Sequence, residues 1–350
     1  MNYIGSKHRL RAFLKHEIKK VVGDDLSQKV FCDLFAGSGA VGKSFKNEVK
    51  QLISNDIEHY SYILNKNYIG NTKAIKNQTK LIEELNSLTL KDDGFIYRHY
   101  CKGSGSQRLY FSDYNGKKID TIRTQLNLWR KTSFIDENTY YFLLASLIEN
   151  ADSVANTASI YSAFLKTLKK TAQKKLILTP AKFELSPNTH IVYNQNSDTL
   201  IKQIQGDILY LDPPYNQRQY GSNYHILNTI SIYDEFIPYG ITGVRPTYTR
   251  SLYAQKRHTN QAFNNLIKNA NFNYIFLSYN NEGLMSKEFI KNTMQKYGDY
   301  HLVKKEYKKF HTTKSTNQNQ KADRTYEYLH VLVKRYSYLN PTKQNTINSI

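Results

Sequence analysis

The stretch from residue 29 to residue 56 constrains the fold more than any other part of this chain. Four segments follow one another in it: a strand at Lys29–Leu34, a glycine-rich turn over residues 35–40, a helix at Val41–Glu48 and a second strand at Gln51–Ser54. Asn55 and Asp56 end the second strand. A strand, a helix and a further strand in this order form a βαβ unit with parallel strands. The chain is therefore predicted to be an α/β protein that binds its ligand at the carboxyl ends of these strands.

Two kinds of ligand suit the glycine-rich turn. Glycines let backbone N–H groups and the helix N-terminus approach a ligand closely, and an acid placed like Asp56 binds the two hydroxyls of a ribose. Residues Gly37–Ser44 also match the phosphate-loop pattern G-x-x-x-x-G-K-[ST] letter for letter. A nucleoside triphosphatase would then use Asp212, at the end of an apolar strand, to hold Mg²⁺. Asp33 and Asp56 on either side of the turn favour an adenosyl or dinucleotide-like cofactor.

The tetrapeptide Asp212-Pro213-Pro214-Tyr215 closes the apolar run Ile208–Leu211, which is predicted to be a short buried strand. A carboxylate and a backbone carbonyl that accept hydrogen bonds from an exocyclic amine would free the lone pair of its nitrogen for reaction. The prolines restrict the turn to one shape, and the tyrosine ring offers a face on which a flipped base stacks. The alternative is a stiff turn in which Asp212 is a cap and Tyr215 packs.

The charge of the chain indicates its partner. Its 350 residues carry 49 Lys and Arg against 29 Asp and Glu, a net charge of +20, which favours a polyanion such as nucleic acid. The two cysteines, Cys32 and Cys101, exclude a disulfide scaffold and lie in no nucleophile motif. The histidines show no metal-ligand spacing, so no metal is expected. With no signal peptide or membrane-spanning run, the protein is expected to be cytoplasmic and to have no membrane partner.

The alternation of strands and helices stops after a helix near Tyr60–Tyr68 and resumes near residue 190. Between them the sequence predicts helices at Leu81–Leu90, Ile119–Arg130 and Tyr140–Glu149. The remaining predicted elements are a helix at Arg9–Val22, strands at His190–Tyr193, Ile208–Leu211 and Asn273–Ser278, and an antiparallel hairpin of His301–Lys309 with Tyr326–Lys334. We therefore predict one sheet domain from residues 1–72 and 188–338, an inserted, mainly helical region at 73–187, and a polar tail at 339–350.

Two motifs in this order resemble those of a known enzyme class. Asp33-Leu34-Phe35-Ala36-Gly37-Ser38-Gly39 and Asp212-Pro213-Pro214-Tyr215 resemble the signature motifs of S-adenosylmethionine-dependent amino-methyltransferases of DNA. Tyr3-Ile4-Gly5-Ser6-Lys7 resembles the N-terminal motif of the alpha-ordered adenine-N6 group, to which the Dam-type enzymes belong. The stretches 151–165, 216–225 and 278–283 are similar to the subgroup found with type II restriction systems.

The resemblance implies a doubly wound, Rossmann-like methyltransferase sheet with a DNA-recognition region inserted at 73–187. The enzyme would transfer a methyl group from S-adenosylmethionine to N6 of a flipped adenine in a short duplex DNA site. It would protect that site from a restriction endonuclease without forming a stable complex with it. Cytosine-N4 and RNA adenine methylation, the triphosphatase and a non-catalytic DNA-binding protein remain as alternatives.

The resemblance also implies a role for each motif residue. Tyr3 and Lys7 would contact the cofactor, Lys7 through the cofactor carboxylate. Phe35, Gly37 and Gly39 would line its path and Asp56 would bind the ribose. The four residues Asp212, Pro213, Pro214 and Tyr215 would form the catalytic motif: Asp212 and the Pro213 carbonyl accept from the target amine, and Tyr215 stacks on the adenine. The contact to the cofactor adenine falls to Asn196 or to Asp198.

The inserted region is predicted to choose the DNA site. It is polar and basic, and Lys169 and Lys170 within it are expected to contact phosphates. Candidates for reading bases are Gln107, Arg108, Arg123 and Gln125.

Overall fold

The computed structural model describes residues 7–308 and 324–335. Tyr3, the tail at 339–350 and the basic connection between the two hairpin strands, from Thr312 onward, lie outside the described residues.

Seven strands form one sheet in the order β3-β2-β1-β4-β5-β7-β6. They are β1 (Val30–Asp33), β2 (Gln51–Asn55), β3 (Ile191–Tyr193), β4 (Gln205–Leu211), β5 (Asn271–Asn280), β6 (Gly298–Lys308) and β7 (Arg324–Lys334). Strands β1 to β5 are parallel to one another, whereas β7 is antiparallel to both β5 and β6. The predicted doubly wound sheet with a terminal antiparallel hairpin is confirmed.

Twelve α-helices lie in the described residues: α1 (Arg11–Val22), α2 (Ala40–Phe45), α3 (His59–Asn65), α4 (Gln78–Ser87), α5 (Phe95–Tyr100), α6 (Asp113–Lys131), α7 (Glu137–Ser153), α8 (Ser197–Leu200), α9 (Tyr220–Asn223), α10 (His225–Ile232), α11 (Thr259–Asn269) and α12 (Lys287–Met294). Local chemistry sets several of these limits. The Ser112 and Asp136 side chains accept hydrogen bonds from N–H groups in the first turns of α6 and α7. Gly23, at φ 108°, ends α1.

The central strands carry buried apolar side chains on both faces because both faces of the sheet are covered. In β1, Phe31 belongs to the core on one face and Cys32 to the core on the other, and Ile208 and Leu209 divide in the same way in β4. Successive side chains of a strand point to opposite faces, so a strand between two helical layers has no solvent side. Burial of each large apolar side chain stabilises the fold by about 1.5–3 kcal/mol.

The strand order reverses beside β1, and this reversal positions the site. The chain proceeds from β1 outward through β2 and β3, then returns to place β4 on the opposite side of β1. In this register Asp33 pairs with Tyr210, two residues before Asp212. A crevice opens at the carboxyl ends of the strands at such a switch point. The two sequence motifs therefore meet at one edge of the sheet.

The inserted region shares a hydrophobic core with the sheet. Buried side chains of α4 to α7 belong to the same cluster as Phe31 and Ile208. Lys46, which is fully buried, donates from Nζ to the carbonyls of Asn71 at 2.6 Å and Glu184 at 2.5 Å, so it binds both ends of the insertion. Burial lowers the pKa of Lys46 to about 8. The limits of the insertion remain a prediction, but the region is integrated into the fold.

Candidate active site

A cleft of about 950 Å³, including its open mouth, lies at the carboxyl ends of β1, β2 and β4. It is large enough for a nucleoside-sized ligand. Most of the site residues expected from the sequence line it: Lys7, Phe35, Gly37, Asp56, Asn196, Asp198, Asp212, Pro213, Pro214 and Tyr215. Gly39 is not among the lining residues, and Tyr3 lies outside the described part of the chain. The structure thus brings the glycine-rich turn and the Asp-Pro-Pro-Tyr motif into a single cavity.

The glycine-rich turn is folded around buried polar side chains. The Gly37 N–H donates to Oδ2 of Asp56 at 2.7 Å, and the Gly37 carbonyl accepts from the Asn65 amide at 3.0 Å and from the Ser61 hydroxyl. Gly39 has a φ of 72°, and a Cβ there would lie 2.5 Å from the Asn65 Oδ1. Glycine is required at residue 39 because the backbone is left-handed and the space is filled. Gly39 therefore shapes the turn from below the cleft.

The same turn does not form a phosphate-binding loop. Lys43 Nζ lies 4.5 Å from the centre of the Tyr68 ring, and the Ser44 hydroxyl donates to the Val41 carbonyl at 2.6 Å. The Gly42 N–H, which would face a phosphate, donates instead to Oδ2 of Asp33 at 3.0 Å. A triphosphate bound at this turn would face the carboxylate of Asp33, and the ammonium of Lys43 points away to Tyr68. This geometry argues against the triphosphatase.

Asp33 holds an acceptor that the protein leaves unsatisfied. Its side chain is 1% exposed, and Oδ1 has no hydrogen-bond partner among the described residues. Burial, together with the negative charges of Asp212 and Asp56, raises the pKa of Asp33 to about 7 against the effect of the Gly42 N–H. A buried acceptor without a partner costs about 1–3 kcal/mol, so a donor supplied by a ligand would be stabilising. This oxygen suits an amino or other cationic group in the cleft.

Lys7 and Asp212 form a buried ion pair at the end of β4. The Lys7 ammonium lies 2.9 Å from Oδ1 of Asp212 and 3.3 Å from Oε1 of Glu327, and it also contacts the Tyr215 hydroxyl. That hydroxyl donates to Oδ1 of Asp212 at 2.9 Å. Burial alone would lower the pKa of Lys7, but the negative charges of Asp212 and Glu327 outweigh it and the pKa is raised. Burial raises the pKa of Asp212 to about 6, against the effect of Lys7.

A further buried carboxylate, that of Glu58, was missed by sequence reasoning. It is 3% exposed, accepts from the Thr249 hydroxyl at 2.7 Å and from the Asn228 amide at 2.6 Å, and lines the cleft. Its N–H donates to Oδ1 of Asp56 at 2.8 Å. Burial raises the pKa of Glu58 to about 7 and also raises that of Asp56. An acidic residue two positions after Asp56 could have been noticed in the sequence. Its contact with Thr249 could not, because no local pattern links the two residues.

Asn196 and Asp198 both reach the cleft, at the start of α8. Asn196 accepts from the Asp198 N–H at 2.8 Å, which caps the helix, and Oδ1 of Asp198 accepts from the Tyr253 hydroxyl at 2.7 Å. The Tyr253 ring packs edge-on against Phe35, with centroids 5.0 Å apart. Tyr253 and Tyr220 also line the cleft. Tyr220 lies in the stretch 216–225 that resembles the type II subgroup, whereas no motif marks Tyr253. Which of the two polar residues contacts an adenine ring stays a prediction.

The candidates for DNA contact fall into different environments. Arg123 is 1% exposed and packs over the Tyr233 ring, so its proposed base contact is wrong for this conformation. Gln107 is exposed and Gln125 is half-buried. Lys170 is exposed as expected. The Lys169 ammonium donates to the Thr157 carbonyl at 2.7 Å, a bond that competes with phosphate contact.

Across residues 7–308 and 324–335, no cluster of three or more His, Cys, Asp or Glu side chains is arranged to hold a metal ion. Within the same residues, no helix combines the length and apolar character needed to cross a membrane.

The mostly parallel sheet with its terminal hairpin, together with the glycine-rich turn and the Asp-Pro-Pro-Tyr motif in one cleft, defines a Rossmann-like methyltransferase. The sequence model of the D12 class N6 adenine-specific DNA methyltransferases matches residues 3–293. The chain belongs to this family. The predicted activity, methylation of adenine N6 in DNA, is thereby confirmed, and the cytosine, RNA and triphosphatase alternatives are not favoured.

Three relatives show how far the similarity extends. The chain is 56% identical to the type II methyltransferase M.NlaIII of Neisseria lactamica, over 96% of this chain and the whole of that protein. It is 38% identical to M.FokI of Planomicrobium okeanokoites over 99% of this chain, which spans 54% of that longer protein. Identity to M.CviAII of Paramecium bursaria Chlorella virus 1 is 35%, over 89% of this chain and 92% of that protein. No solved structure matches the chain at a significant level.

Proposed function

We propose that the chain is the modification enzyme of a type II restriction–modification system and uses S-adenosylmethionine to methylate N6 of one adenine in a short duplex site. The observation that carries this proposal is the common cleft. The glycine-rich turn and Asp212, which follow the adjacent strands β1 and β4, both line it. The names of the relatives support the type II assignment. A restriction endonuclease would act on the same site without forming a stable complex.

The cleft residues fit the cofactor. Oδ1 of Asp33 is an acceptor in need of a donor, and the cofactor carries an amino group and a sulfonium. Asp56 would bind the ribose, Phe35 and Gly37 would line the path, and Asn196 or Asp198 would contact the adenine. When bound, S-adenosylmethionine supplies an electrophilic methyl group on sulfur. Every other contribution would come from side chains and backbone groups of the cleft.

Binding of the cofactor carboxylate by Lys7, as predicted, would break a contact that Lys7 makes in this structure. An ammonium has three N–H donors, and the Lys7 ammonium already donates to Asp212 and to the Tyr215 hydroxyl and forms an ion pair with Glu327. Contact with a ligand carboxylate would therefore require Lys7 to give up one of these partners. If that partner is Asp212, its carboxylate becomes available to the target amine.

Asp212 and the carbonyl of Pro213 would act on the target base. Both accept hydrogen bonds from the N6 amine, which withdraws its lone pair from the ring and directs it at the methyl group. Tyr215 would stack on the flipped adenine. Its ring is held by Tyr279, edge-on with centroids 5.5 Å apart, and its carbonyl accepts from the Leu284 N–H at 2.9 Å. These two contacts restrict the movement of Tyr215, which supports a stacking role for its ring.

Direct displacement requires no enzyme nucleophile. Cys32 and Cys101 are fully buried, and burial raises the pKa of both thiols well above the usual value. Neither cysteine lines the cleft. This agrees with transfer to an exocyclic nitrogen rather than to ring carbon.

Double-stranded DNA is the proposed partner and the cytoplasm the proposed location. The net charge of +20 favours binding to the phosphate backbone. The region at 73–187, within the limits predicted from the sequence, is proposed to choose the site.

Mapping of modified bases tests the proposal. The chain is expressed in a host whose DNA lacks adenine methylation, with Asp212→Ala as the inactive control. We expect N6-methyladenine at one short motif, present with the wild type and absent with the variant. N4-methylcytosine, or no modification in DNA from cells that contain the folded protein, would contradict it.

A further inference from the structure

Three large apolar side chains project into solvent from the loop of residues 234–250, which follows α10. Ile237 is 86% exposed, Tyr239 71% and Ile241 85%, the highest values among the exposed large hydrophobic side chains of the described residues. Side chains in such positions add nothing to the folding core. Three such side chains within five residues of one loop are a candidate interaction surface.

The tip of the loop is held in one shape. Tyr239 and Val244 exchange two backbone hydrogen bonds, of 2.9 and 3.0 Å, around a turn in which Gly240 and Gly243 have φ values of 67° and 69°. The Arg108 guanidinium donates to the carbonyls of Gly240 at 3.0 Å and Ile241 at 3.2 Å. Several hydrogen bonds are therefore used to present an apolar tip to water.

The base of the loop is also fastened. Tyr100, in α5, donates its hydroxyl to the Gly243 carbonyl at 2.8 Å. Arg245 forms an ion pair with Asp234 and lies 4.2 Å from the centre of the Phe236 ring, which packs on Phe95 with centroids 4.8 Å apart. Because Arg108, Tyr100 and Phe95 come from residues 73–187, the loop and that region form one surface.

The loop of residues 234–250 is followed directly in the sequence by residues that line the cleft. The Thr249 hydroxyl donates to Glu58 in the cleft, and Ser251 to Tyr253 line the cleft wall. Ile241 is eight residues before Thr249, which limits their separation to roughly 27 Å in a fully extended chain. A duplex rises about 3.4 Å for each base pair, so the tip lies within the length of about eight base pairs from Thr249 at the cleft.

The charge beside the tip favours DNA as the occupant. The groove next to Ile241 is lined by Arg98, His99 and Arg108, and no carboxylate of the described residues lines it. Arg98 is paired with Asp93 and Glu235, but the partners of Arg108 are carbonyl oxygens, so its positive charge is not neutralised. A second copy of the chain would bring another +20 charge to this surface, which opposes self-association.

We propose that the loop of residues 234–250 is a second DNA-contacting element, in which Ile237, Tyr239 and Ile241 pack against bases and sugars beside the target adenine. Arg108 contacts a phosphate through the two of its five N–H donors that its three carbonyl bonds leave over. Apolar side chains at a rigid tip are suited to wedge between or against base pairs. The inference rests on the proposed function and adds part of the DNA interface outside the inserted region.

The test compares a loop variant, Ile237→Ser with Tyr239→Ser and Ile241→Ser, with a control, Leu302→Ser, at a 38% exposed side chain of β6. Fluorescence anisotropy measures binding to an unmethylated duplex that carries the motif found by mapping of modified bases, in the presence of S-adenosylhomocysteine. Loss of base contacts should weaken binding by the loop variant at least about tenfold. The salt slope of binding should be unchanged, since these side chains release no counterions. Arg108→Gln should lower that slope by about 1.

Separate outcomes identify which proposal fails. Calorimetric binding of S-adenosylmethionine by the loop variant shows that its cleft is folded. If the wild type methylates DNA and the loop variant binds the duplex equally well, the loop proposal is overturned while the proposed function stands. If sedimentation velocity shows that the wild type is a dimer and the loop variant a monomer, and DNA affinity is unchanged, the loop is a self-association site and the DNA proposal is overturned. If the wild type methylates no DNA, the proposed function itself is overturned.

Discussion

The ammonium of Lys7 lies 2.9 Å from Oδ1 of Asp212 and thereby joins the first described residue of the chain to the end of β4. Glu327 of β7 approaches the same ammonium at 3.3 Å. One buried cation thus lies between two carboxylates, one directly after β4 and the other in β7. Removing one member of such a group is expected to be costly because it leaves a charge without its partner.

Asp212→Ala should abolish methyl transfer while most DNA affinity remains. The lost acceptor acts on the target amine, so the reduction should fall on kcat, by at least about 10²–10³-fold. Single-turnover methyl transfer and duplex binding, measured side by side, provide the check. Asp212→Asn keeps the shape and serves as the matched control. Turnover close to that of the wild type in Asp212→Ala would refute the acceptor role.

The rate of transfer should fall on the acid side of pH 6. Asp212 must be ionised to accept from the amine, and its pKa is raised to about 6. Protonation below that pH should reduce the rate about tenfold for each pH unit. Lys7→Met removes the charge that opposes this raised pKa, so the acid limb should move to higher pH. An acid limb that does not move in Lys7→Met would show that Lys7 does not control Asp212.

Glu58 and Thr249 should act as a pair in cofactor binding. Glu58→Gln replaces one acceptor oxygen by a donor that faces Thr249 or Asn228, and Thr249→Val removes the hydroxyl. Each variant should weaken S-adenosylmethionine binding in calorimetry, because Glu58 links Asp56 to the cleft wall at 251–253. The double variant should be non-additive by about 0.5–3 kcal/mol. Strictly additive losses would mean that the contact has no role.

Calorimetry should detect S-adenosylmethionine binding and no comparable binding of ATP. Lys43→Ala should have little effect on either ligand or on turnover, since Nζ of Lys43 lies over the Tyr68 ring rather than in the cleft. In a phosphate-binding loop the same change would abolish activity. Micromolar ATP affinity without heat from S-adenosylmethionine would overturn the proposed cofactor.

Exchange of the inserted region with that of a relative of different specificity should change the methylated motif. The junctions of the chimera should preserve the hydrogen bonds from Lys46 to the carbonyls of Asn71 and Glu184. The loop at 234–250 should be exchanged together with the inserted region, because Arg108 of that region anchors it. A chimera that folds and methylates the original motif would place recognition elsewhere.

Neutralising an exposed lysine of the insertion should weaken binding to all duplexes alike. For Lys170→Gln we expect the salt slope to fall by about 1. Lys169→Gln is the comparison, because the Lys169 ammonium is bonded to the Thr157 carbonyl and should contribute less.

The helices and strands were predicted well where their signal is local. The run Ile208–Leu211 is apolar because helices cover both faces of β4, and the periodicity of α1 reflects its one buried face. Gly39 is needed where the backbone is left-handed, which the sequence also marks. The phosphate-loop pattern shows the limit of such reasoning. Its letters match, but the direction of Lys43 depends on α2 packing against Tyr68.

The sequence by itself determined the α/β class, the order of the motifs and the chemical character of Asp212 and Tyr215, because strands, turns and short motifs depend on neighbouring residues. Only the tertiary structure decided that Lys7 pairs with Asp212 and Glu327, that Glu58 holds Thr249, and that Arg123 is buried while Arg108 supports an exposed loop. These contacts join residues that are far apart in the chain. They form when the sheet and the insertion pack around one core, and no local pattern records that packing.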